Sequence, residues 1–313
     1  MKKFFTVAAS LILSAAMLTA CGSSAAPAAT TGAPETTAVT QAPAAETTEE
    51  TKSFHIAIVQ QLDHASLDEI RLAVEDELTK AAADKGFQVS YKEFNGQNDN
   101  TVLNQIGAQV VSDKYDAIIP IASLAAQCMA TATDGTDIPV IYAAISDPAA
   151  AGLTDIPNVT GTSDALNTAF ILDMMLAAQP DVKTVGLLYS NSEANSQTPI
   201  AQAKEYLEQK GIAYIEKTGN STDEILTAAS SLVGRVEAVF TPTDNVVMAC
   251  EGAVAEILNQ AGIAHYTGAD SFVAAGAFTT SGVNYTELGT YTADMAVDIL
   301  LGGAVPEYHV MDG

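Results

Sequence analysis

The chain is poor in positive charge, histidine and cysteine, and it contains no tryptophan. Its 13 Lys and Arg residues stand against 38 Asp and Glu residues, which gives a formal net charge of −25. Such an acidic balance repels phosphate backbones and anionic membrane surfaces, so no nucleic-acid partner is expected. The 3 cysteines show no CxxC spacing and the 4 histidines are scattered. The sequence therefore indicates neither a disulfide framework nor a metal site.

Catalytic motifs are missing as well. The sequence has no GxSxG, no HExxH and no P-loop, and no nucleophile stands beside a base. His64 follows Asp63 and could be read as half of a catalytic pair, but we favour a loop or pocket-lining role for it. We therefore predict that the protein is not an enzyme and that it uses no cofactor.

The N-terminus has the features of an export signal. Lys2 and Lys3 precede an apolar run at 4–18 that is too short for a membrane span, and small residues follow it. The tetrapeptide LTAC at 18–21 resembles the lipobox of bacterial lipoproteins, in which the signal peptide (here 1–20) is removed and the new terminal cysteine is acylated. That resemblance implies a lipid on Cys21 that anchors the protein to the outer face of the bacterial cell membrane. Residues 21–52 are rich in Ala, Thr and Pro and predict a disordered tether.

Strands and helices alternate from residue 53 onward. FHIAIVQ (54–60) is a compact apolar strand, SLDEIRLAVEDELTKAAADKG (66–86) is a helical pattern that ends at Gly86, and the alternation restarts near residue 160. Helices that alternate with strands in this way favour parallel sheets covered on both faces. The chain has 313 residues, of which 48% are hydrophobic, enough for two cores. We therefore predict an α/β fold with two Rossmann-like lobes.

Short polar sets follow the predicted strands in both lobes. In parallel α/β sheets, ligands bind beyond the carboxyl ends of the strands, where helix N-termini offer free N–H groups. Each set alone is ordinary loop or helix-cap chemistry, but the sets converge on one cleft if the lobes face each other. The candidate ligand-binding residues in these sets are Gln60, Ser123, Ser146, Asp147, Ser192, Glu193, Asn195, Ser196, Asp244, Asn245 and Asp270.

The chemistry of these sets suits a small zwitterion. Ser123 opens a predicted helix, whose first N–H groups could hold a carboxylate. Glu193, Asp244 or Asp270 could pair with an ammonium group through charge-assisted hydrogen bonds. No cationic clamp is evident for a phosphorylated or dicarboxylic ligand.

From about residue 54 to its end, the chain resembles the substrate-binding lipoproteins of ABC transporters with the type I periplasmic-binding-protein fold. Within that family it is similar to the TrpX-like subgroup, which binds tryptophan or tyrosine. The stretches that carry the resemblance are IVQQLDHASLDEIRLAVEDEL, IASLAAQ, AAISDPAAAGL, NVTGTSD, VGLLYSNSEANS, FTPTDNVV and SGVNYTELGTYTADMAVDILLG. The resemblance implies a ligand clamped between two lobes joined by a multi-strand hinge. It carries the family's ligand positions onto the candidates above, Ser192 excepted, and adds Tyr285.

Two departures from the family pattern affect what the resemblance implies. IASLAAQ has Ser-Leu where the family more often has Thr-Pro, which bears on the carboxylate-binding turn. The chain ends at EYHVMDG, where the family usually continues, so we expect a truncated C-terminal end. On the family's topology, lobe one comprises 54–161 and 285–305, and lobe two comprises 162–284 and 306–313.

The function that this resemblance implies is a lipid-anchored, monomeric receptor outside the cytoplasm. It would close on an amino acid, with an aromatic one favoured, and deliver it to an ABC permease. One alternative is the same fold with a nucleoside or sugar ligand, against which the lack of Trp and the 6% aromatic content weigh. A second is a ligand sensor for a membrane signalling partner, and an exported enzyme is the least favoured.

Overall fold

The computed structural model describes residues 51–312. The predicted signal peptide, the lipid attachment at Cys21 and almost all of the predicted tether lie outside these residues. Among the helices of 51–312, none combines the length and apolar character that a membrane span requires.

Two parallel β-sheets organise the described chain, as the alternating pattern predicted. The first has six strands in the order β11-β5-β4-β3-β1-β2, and the second has five in the order β10-β9-β8-β6-β7. The strands of the first sheet are β1 (Ser53–Gln60), β2 (Gln88–Asn95), β3 (Ala117–Ile121), β4 (Val140–Tyr142), β5 (Val159–Ser163) and β11 (His309–Val310). Those of the second are β6 (Thr184–Tyr189), β7 (Ala213–Thr218), β8 (Ala238–Thr241), β9 (Ala264–Thr267) and β10 (Thr279–Thr280).

Helices connect the strands, and their ends follow local sequence signals. The helices are α1 (Ala65–Lys85), α2 (Asn100–Ser112), α3 (Ser123–Ala132), α4 (Thr168–Ala178), α5 (Ala194–Lys210), α6 (Thr222–Leu232), α7 (Asn245–Met248), α8 (Glu251–Gln260), α9 (Asp270–Ala275) and α10 (Tyr285–Leu300). Helix α1 ends where Gly86 adopts a left-handed conformation with φ 73°, as predicted. Side chains cap other helices, as when Asp99 accepts the N–H groups of Thr101 and Val102 at the start of α2.

Helix α10 returns to the first sheet and packs along α1. Gly289 makes this close approach possible, because a Cβ there would lie 2.6 Å from the Ile70 carbonyl oxygen. The Thr286 hydroxyl donates to Glu69 at 2.7 Å, and Lys85 pairs with Asp298 at 3.0 Å. We call the first sheet with α1, α2, α3 and α10 the first lobe, and the second sheet with α4 to α9 the second lobe.

The C-terminal residues differ from the sequence-based assignment. We placed 306–313 in the second lobe, but β11 is hydrogen-bonded to β5 at the edge of the first sheet, with His309 opposite Thr162. A strand of two exposed residues leaves no periodic pattern in the sequence, which is why it was missed. Within 51–312 the chain passes between the sheets at 164–167 and at 281–284.

Candidate functional site

The site lies where the carboxyl ends of the two sheets face each other. A cavity there has about 10 Å³ of free space, room for about one water molecule. Side chains from both lobes line it: His64, Ser66, Leu67, Ala122, Ala144, Asp164, Asn195, Thr243, Asp244, Asn245, Met248, Phe272 and Tyr285. A ligand the size of an amino acid therefore needs the lobes to open before it can enter.

Direct hydrogen bonds hold the lobes together around this cavity. Ser66 meets Ser271 at 2.5 Å, and Ser146 meets Thr243 at 3.1 Å. The Thr198 hydroxyl donates to Asp147 at 2.7 Å. The structure is thus a closed clamp whose two halves contact each other directly.

The N-terminus of α3 is bound by a glutamine side chain. The Leu124 N–H donates to Gln61 Oε1 at 2.9 Å, so the amide oxygen occupies the position expected for a carboxylate. Gln61 Nε2 donates to Asn98 at 2.8 Å and to Glu193 of the second lobe at 2.9 Å. Ser123, the first residue of α3, is buried beside this contact.

Glu193 stands at the N-cap position of α5, but its side chain makes no capping bond. It points into the cleft, where Oε1 accepts from Gln61 and Oε2 accepts from Asn245 Nδ2 at 2.6 Å. Burial, with a further contribution from the charge of Asp244, raises the pKa of Glu193 to about 8. The two amide donors partly oppose this rise because they stabilise the carboxylate.

His64 continues the same network from the first lobe. Its Nε2 contacts Asn245 Oδ1 at 3.0 Å, and its Nδ1 is buried without a hydrogen-bond partner. Because Asn245 Nδ2 donates to Glu193, its Oδ1 must accept, so His64 carries its proton on Nε2. Burial lowers the pKa of His64 below the usual 6.5, which keeps the ring neutral and leaves Nδ1 as a free acceptor.

Asp244 is buried next to Glu193, and three donors already use most of its acceptor capacity. It accepts from the Ser190 N–H at 2.7 Å, the Ser196 hydroxyl at 2.6 Å and the Val247 N–H at 3.0 Å. It therefore caps α7 and ties the β6 end to that helix. Asp270, the other carboxylate that the sequence offered for an ammonium group, is exposed and does not line the cavity.

A second polar group lies at the hinge side of the cavity. Asp164 follows β5 and accepts from the Ser146 hydroxyl at 2.9 Å and the Tyr285 hydroxyl at 3.1 Å. Burial raises the pKa of Asp164 above its usual value, and these two donors oppose the rise. Asn195 donates to the Thr243 carbonyl at 2.6 Å, while its Oδ1 is buried without a partner.

The backbone is unusual at the cavity wall. Ala122 and Ala144, which follow β3 and β4, have positive φ values of 75° and 58° although neither is glycine. Such conformations are costly for residues with a Cβ and concentrate at functional sites. Both alanines line the cavity, where their methyl groups are the smallest side chains that still cover the sheet edge.

Most of the sequence-predicted residues come together around this cleft, and a few do not. Asn195, Asp244, Asn245 and Tyr285 line the cavity. The side chains of Ser146, Asp147, Glu193 and Ser196 form hydrogen bonds around it, and Ser123 is buried at the start of α3. Ser192 is exposed and contacts Ser190. Gln60 turns toward the start of α1, donating to Asp68 at 2.8 Å, and the adjacent Gln61 takes the position at the cleft.

Several residues at the site were not among the sequence-based candidates. Gln61 contacts Glu193, Asp164 contacts Ser146 and Tyr285, and Met248 and Phe272 supply apolar surface. Asp164 ends the stretch NVTGTSD and directly follows a strand, which is the same position in the chain that the other candidates occupy. His64, which we interpreted as pocket-lining rather than catalytic, does line the cavity.

Two α/β lobes that close on a cavity of buried hydrogen-bond acceptors define a protein that clamps a small molecule between them. Comparisons with known proteins identify the family. The model of the ABC transporter substrate-binding protein family matches residues 55–312. A tyrosine-binding protein of Clostridioides difficile (strain R20291) is 32% identical over 272 residues, which cover 84% of this chain and 77% of that protein. The chain therefore belongs to the ABC transporter substrate-binding proteins, which are not enzymes and work outside the cytoplasm.

Solved structures agree with this assignment and with the closed state. A Streptococcus protein crystallised in complex with L-Trp has 31% identity and a TM-score of 0.78, covering 83% of this chain and 90% of that one. A ligand-free, open substrate-binding protein from Clostridium difficile has 33% identity and the same coverages, but a TM-score of 0.61. The two identities are close, so the lower score with the open structure fits the direct contacts between the lobes here.

Proposed function

We propose that this substrate-binding protein takes up an amino acid, with an aromatic side chain favoured. The observation that carries the proposal is that the cavity is surrounded by acceptors and lacks a cation. Among the ion pairs of residues 51–312, none involves Asp164, Glu193 or Asp244. Buried carboxyl groups without a cationic partner are costly. A ligand that brings an ammonium group supplies the missing positive charge.

The head group of an amino acid matches the contacts that the Gln61 amide now makes. Gln61 Oε1 accepts from the N-terminus of α3, and Nε2 donates to Glu193. A ligand carboxylate at α3 and a ligand ammonium at Glu193 would replace this amide by charge-assisted hydrogen bonds. Two further acceptors without a hydrogen-bond partner, His64 Nδ1 and Asn195 Oδ1, belong to residues that line the cavity.

The aromatic preference rests on the walls of the cavity and on the relatives. Leu67, Met248 and Phe272 provide apolar surface next to the small Ala122 and Ala144. The matched relatives are a tyrosine-binding protein and a protein crystallised with L-Trp. The acceptor-lined cleft of this chain suits the same kind of ligand.

Titration calorimetry with the amino acids, one at a time, tests the proposal. We expect micromolar or tighter binding of at least one of Tyr, Trp and Phe, with no binding of ribose, glucose or adenosine. Exclusive binding of a sugar or nucleoside would replace the amino-acid assignment. A protein that bound no amino acid at millimolar concentration would contradict it.

We further propose that Cys21 carries the lipid anchor, that the chain acts as a monomer and that an ABC permease receives its ligand. The sequence LTAC supports the anchor, and the family supports the permease. Cells grown with labelled palmitate should incorporate the label into the wild-type chain but not into Cys21→Ala. Equal labelling of both would place the lipid elsewhere. Light scattering of the purified protein measures whether it is a monomer. Cells that lack this binding protein should lose amino-acid uptake if it delivers its ligand to a permease.

A further inference from the structure

The carboxyl edge of the first sheet presents three cavity-lining residues in a row. Ala122, Ala144 and Asp164 follow β3, β4 and β5, which are neighbours in that order. Neighbouring strands lie about 4.8 Å apart, so the end of β5 is about 10 Å from the end of β3. Asp164 therefore stands at the far end of a row that starts at the N-terminus of α3.

This distance separates Asp164 from the site proposed for the ligand head group. The carboxylate and ammonium of an amino acid are on adjacent carbons, and Gln61 alone spans the two groups that would bind them. Glu193 is therefore close enough to α3 to take the ammonium, whereas Asp164 is two strand spacings away. Asp164 is placed to meet the end of a long ligand side chain instead.

The space between the two ends is narrow, and part of its wall is apolar. Ala122 and Ala144 form one side, and Phe272 and Met248 of the second lobe contribute to the other. Such surfaces favour a flat hydrocarbon ring over a charged or branched polar chain. An aromatic ring that lies along the row would direct its outer edge to Asp164.

Asp164 has acceptor capacity left at that end. It is 4% exposed, and its oxygens accept from Ser146 and Tyr285. A carboxylate offers about four lone-pair positions, so two donors leave room for another. None of the ion pairs within 51–312 includes it. A buried carboxyl group without a cation gains from each added hydrogen bond.

We propose that Asp164 is a specificity residue that accepts a hydrogen bond from the ligand's ring, from a phenol O–H or an indole N–H. The inference rests on the proposed function, because it needs an amino-acid head group at α3 and Glu193. It selects aromatic amino acids that carry a side-chain donor. Phenylalanine fills the same space but leaves Asp164 without its donor, and sites of this kind reject such analogues strongly.

Calorimetry on the wild-type protein gives the first test, which needs no variant. L-Tyrosine or L-tryptophan should bind at least tenfold more tightly than L-phenylalanine. The tighter of the two should lose at least tenfold when its donor is methylated, in O-methyl-L-tyrosine or 1-methyl-L-tryptophan. Equal binding of Tyr, Trp and Phe would overturn the inference and leave the proposed function standing. Failure to bind any of the three would remove the proposed function and the inference with it.

The variant Asp164→Asn gives the second test. The preference for the donor-bearing ligand over phenylalanine should fall at least tenfold, because the carboxylate acceptor is replaced by an amide. Asp155→Asn, an exposed carboxyl group in the same lobe, is the matched control and should keep the preference. An equal loss for all three ligands would make Asp164 a head-group or hinge residue and would overturn the proposal. So would an unchanged preference. If the variant does not fold, the methylated ligands decide.

Discussion

Replacing Glu193 by glutamine should weaken the binding of an aromatic amino acid at least tenfold, which corresponds to about 1.4 kcal/mol. In the wild-type protein the ligand's ammonium group would meet a carboxylate, and a charge-assisted bond is about twice as strong as a neutral one. The variant keeps the size of the side chain and removes the charge. It also replaces one acceptor by a donor, opposite Gln61 Nε2 or Asn245 Nδ2, which both donate now.

The free energy of unfolding without ligand should change little in this variant. The lost hydrogen bond destabilises the closed form, but removal of a buried carboxyl group also removes its desolvation cost. Glu205→Gln, on the exposed face of the same helix α5, is the matched control and should bind as the wild type does. Calorimetric titration of both variants checks the prediction. Wild-type affinity in Glu193→Gln would mean that the ammonium group binds elsewhere.

Much of the fold could be predicted because its signals are local. The helical pattern of α1 and its end at Gly86 depend on residues close together in the sequence. The same is true of the apolar runs of β1 and β3. The sequence pattern also predicts one helix over 245–260, and this is wrong in detail, since α7 ends at Met248 and α8 starts at Glu251. The two residues between these helices, Ala249 and Cys250, are neither glycine nor proline, so the sequence pattern is that of one continuous helix.

The site was harder to predict because its members meet only through the strand order. Glu193 was found because it follows a clear strand in a dense polar run. Gln60 and Gln61 are adjacent and chemically identical, and only the end of β1 decides which of them reaches the cleft. Asp164 follows the strand VTGTS, which has no long apolar run, and its place beside Ala144 depends on the pairing of β4 with β5. Side-chain contacts between lobes leave no periodic trace in a sequence.

The affinity for an amino acid should rise steeply with pH, because the pKa of Glu193 is raised. In the ligand-free protein that pKa is about 8, because the group is buried and stands near Asp244. The ligand's ammonium group favours the ionised form, so binding near neutral pH must release a proton. Below pH 8 the dissociation constant should fall about tenfold per pH unit, or roughly 50-fold from pH 6 to pH 8.

Burial also raises the pKa of the adjacent Asp244, so the proton release is assigned to Glu193 only through the comparison with Glu193→Gln below. His64 contacts Glu193 through Asn245, and burial favours its neutral form by holding its pKa below the usual 6.5. The raised pKa of Glu193 also makes stability depend on pH, but stability falls with rising pH whereas ligand affinity rises. Between the ordinary carboxyl pKa of 4.5 and about 8, the folded protein binds more protons than the unfolded chain. The free energy of unfolding of the ligand-free protein should therefore fall as the pH rises through that range.

Calorimetry in two buffers with different ionisation enthalpies measures the proton release directly. Wild-type protein should release close to one proton per ligand at pH 7, and Glu193→Gln should release almost none. The Glu205→Gln control should match the wild type, because that carboxyl group is exposed and on the other face of α5. A dissociation constant that is flat from pH 6 to pH 8, with no proton released, would mean that Glu193 is ionised before the ligand arrives. The ligand-free cleft would then hold an ionised Glu193 that is stabilised by the Gln61 and Asn245 amides. The ligand's ammonium group would bind to that carboxylate without displacing a proton.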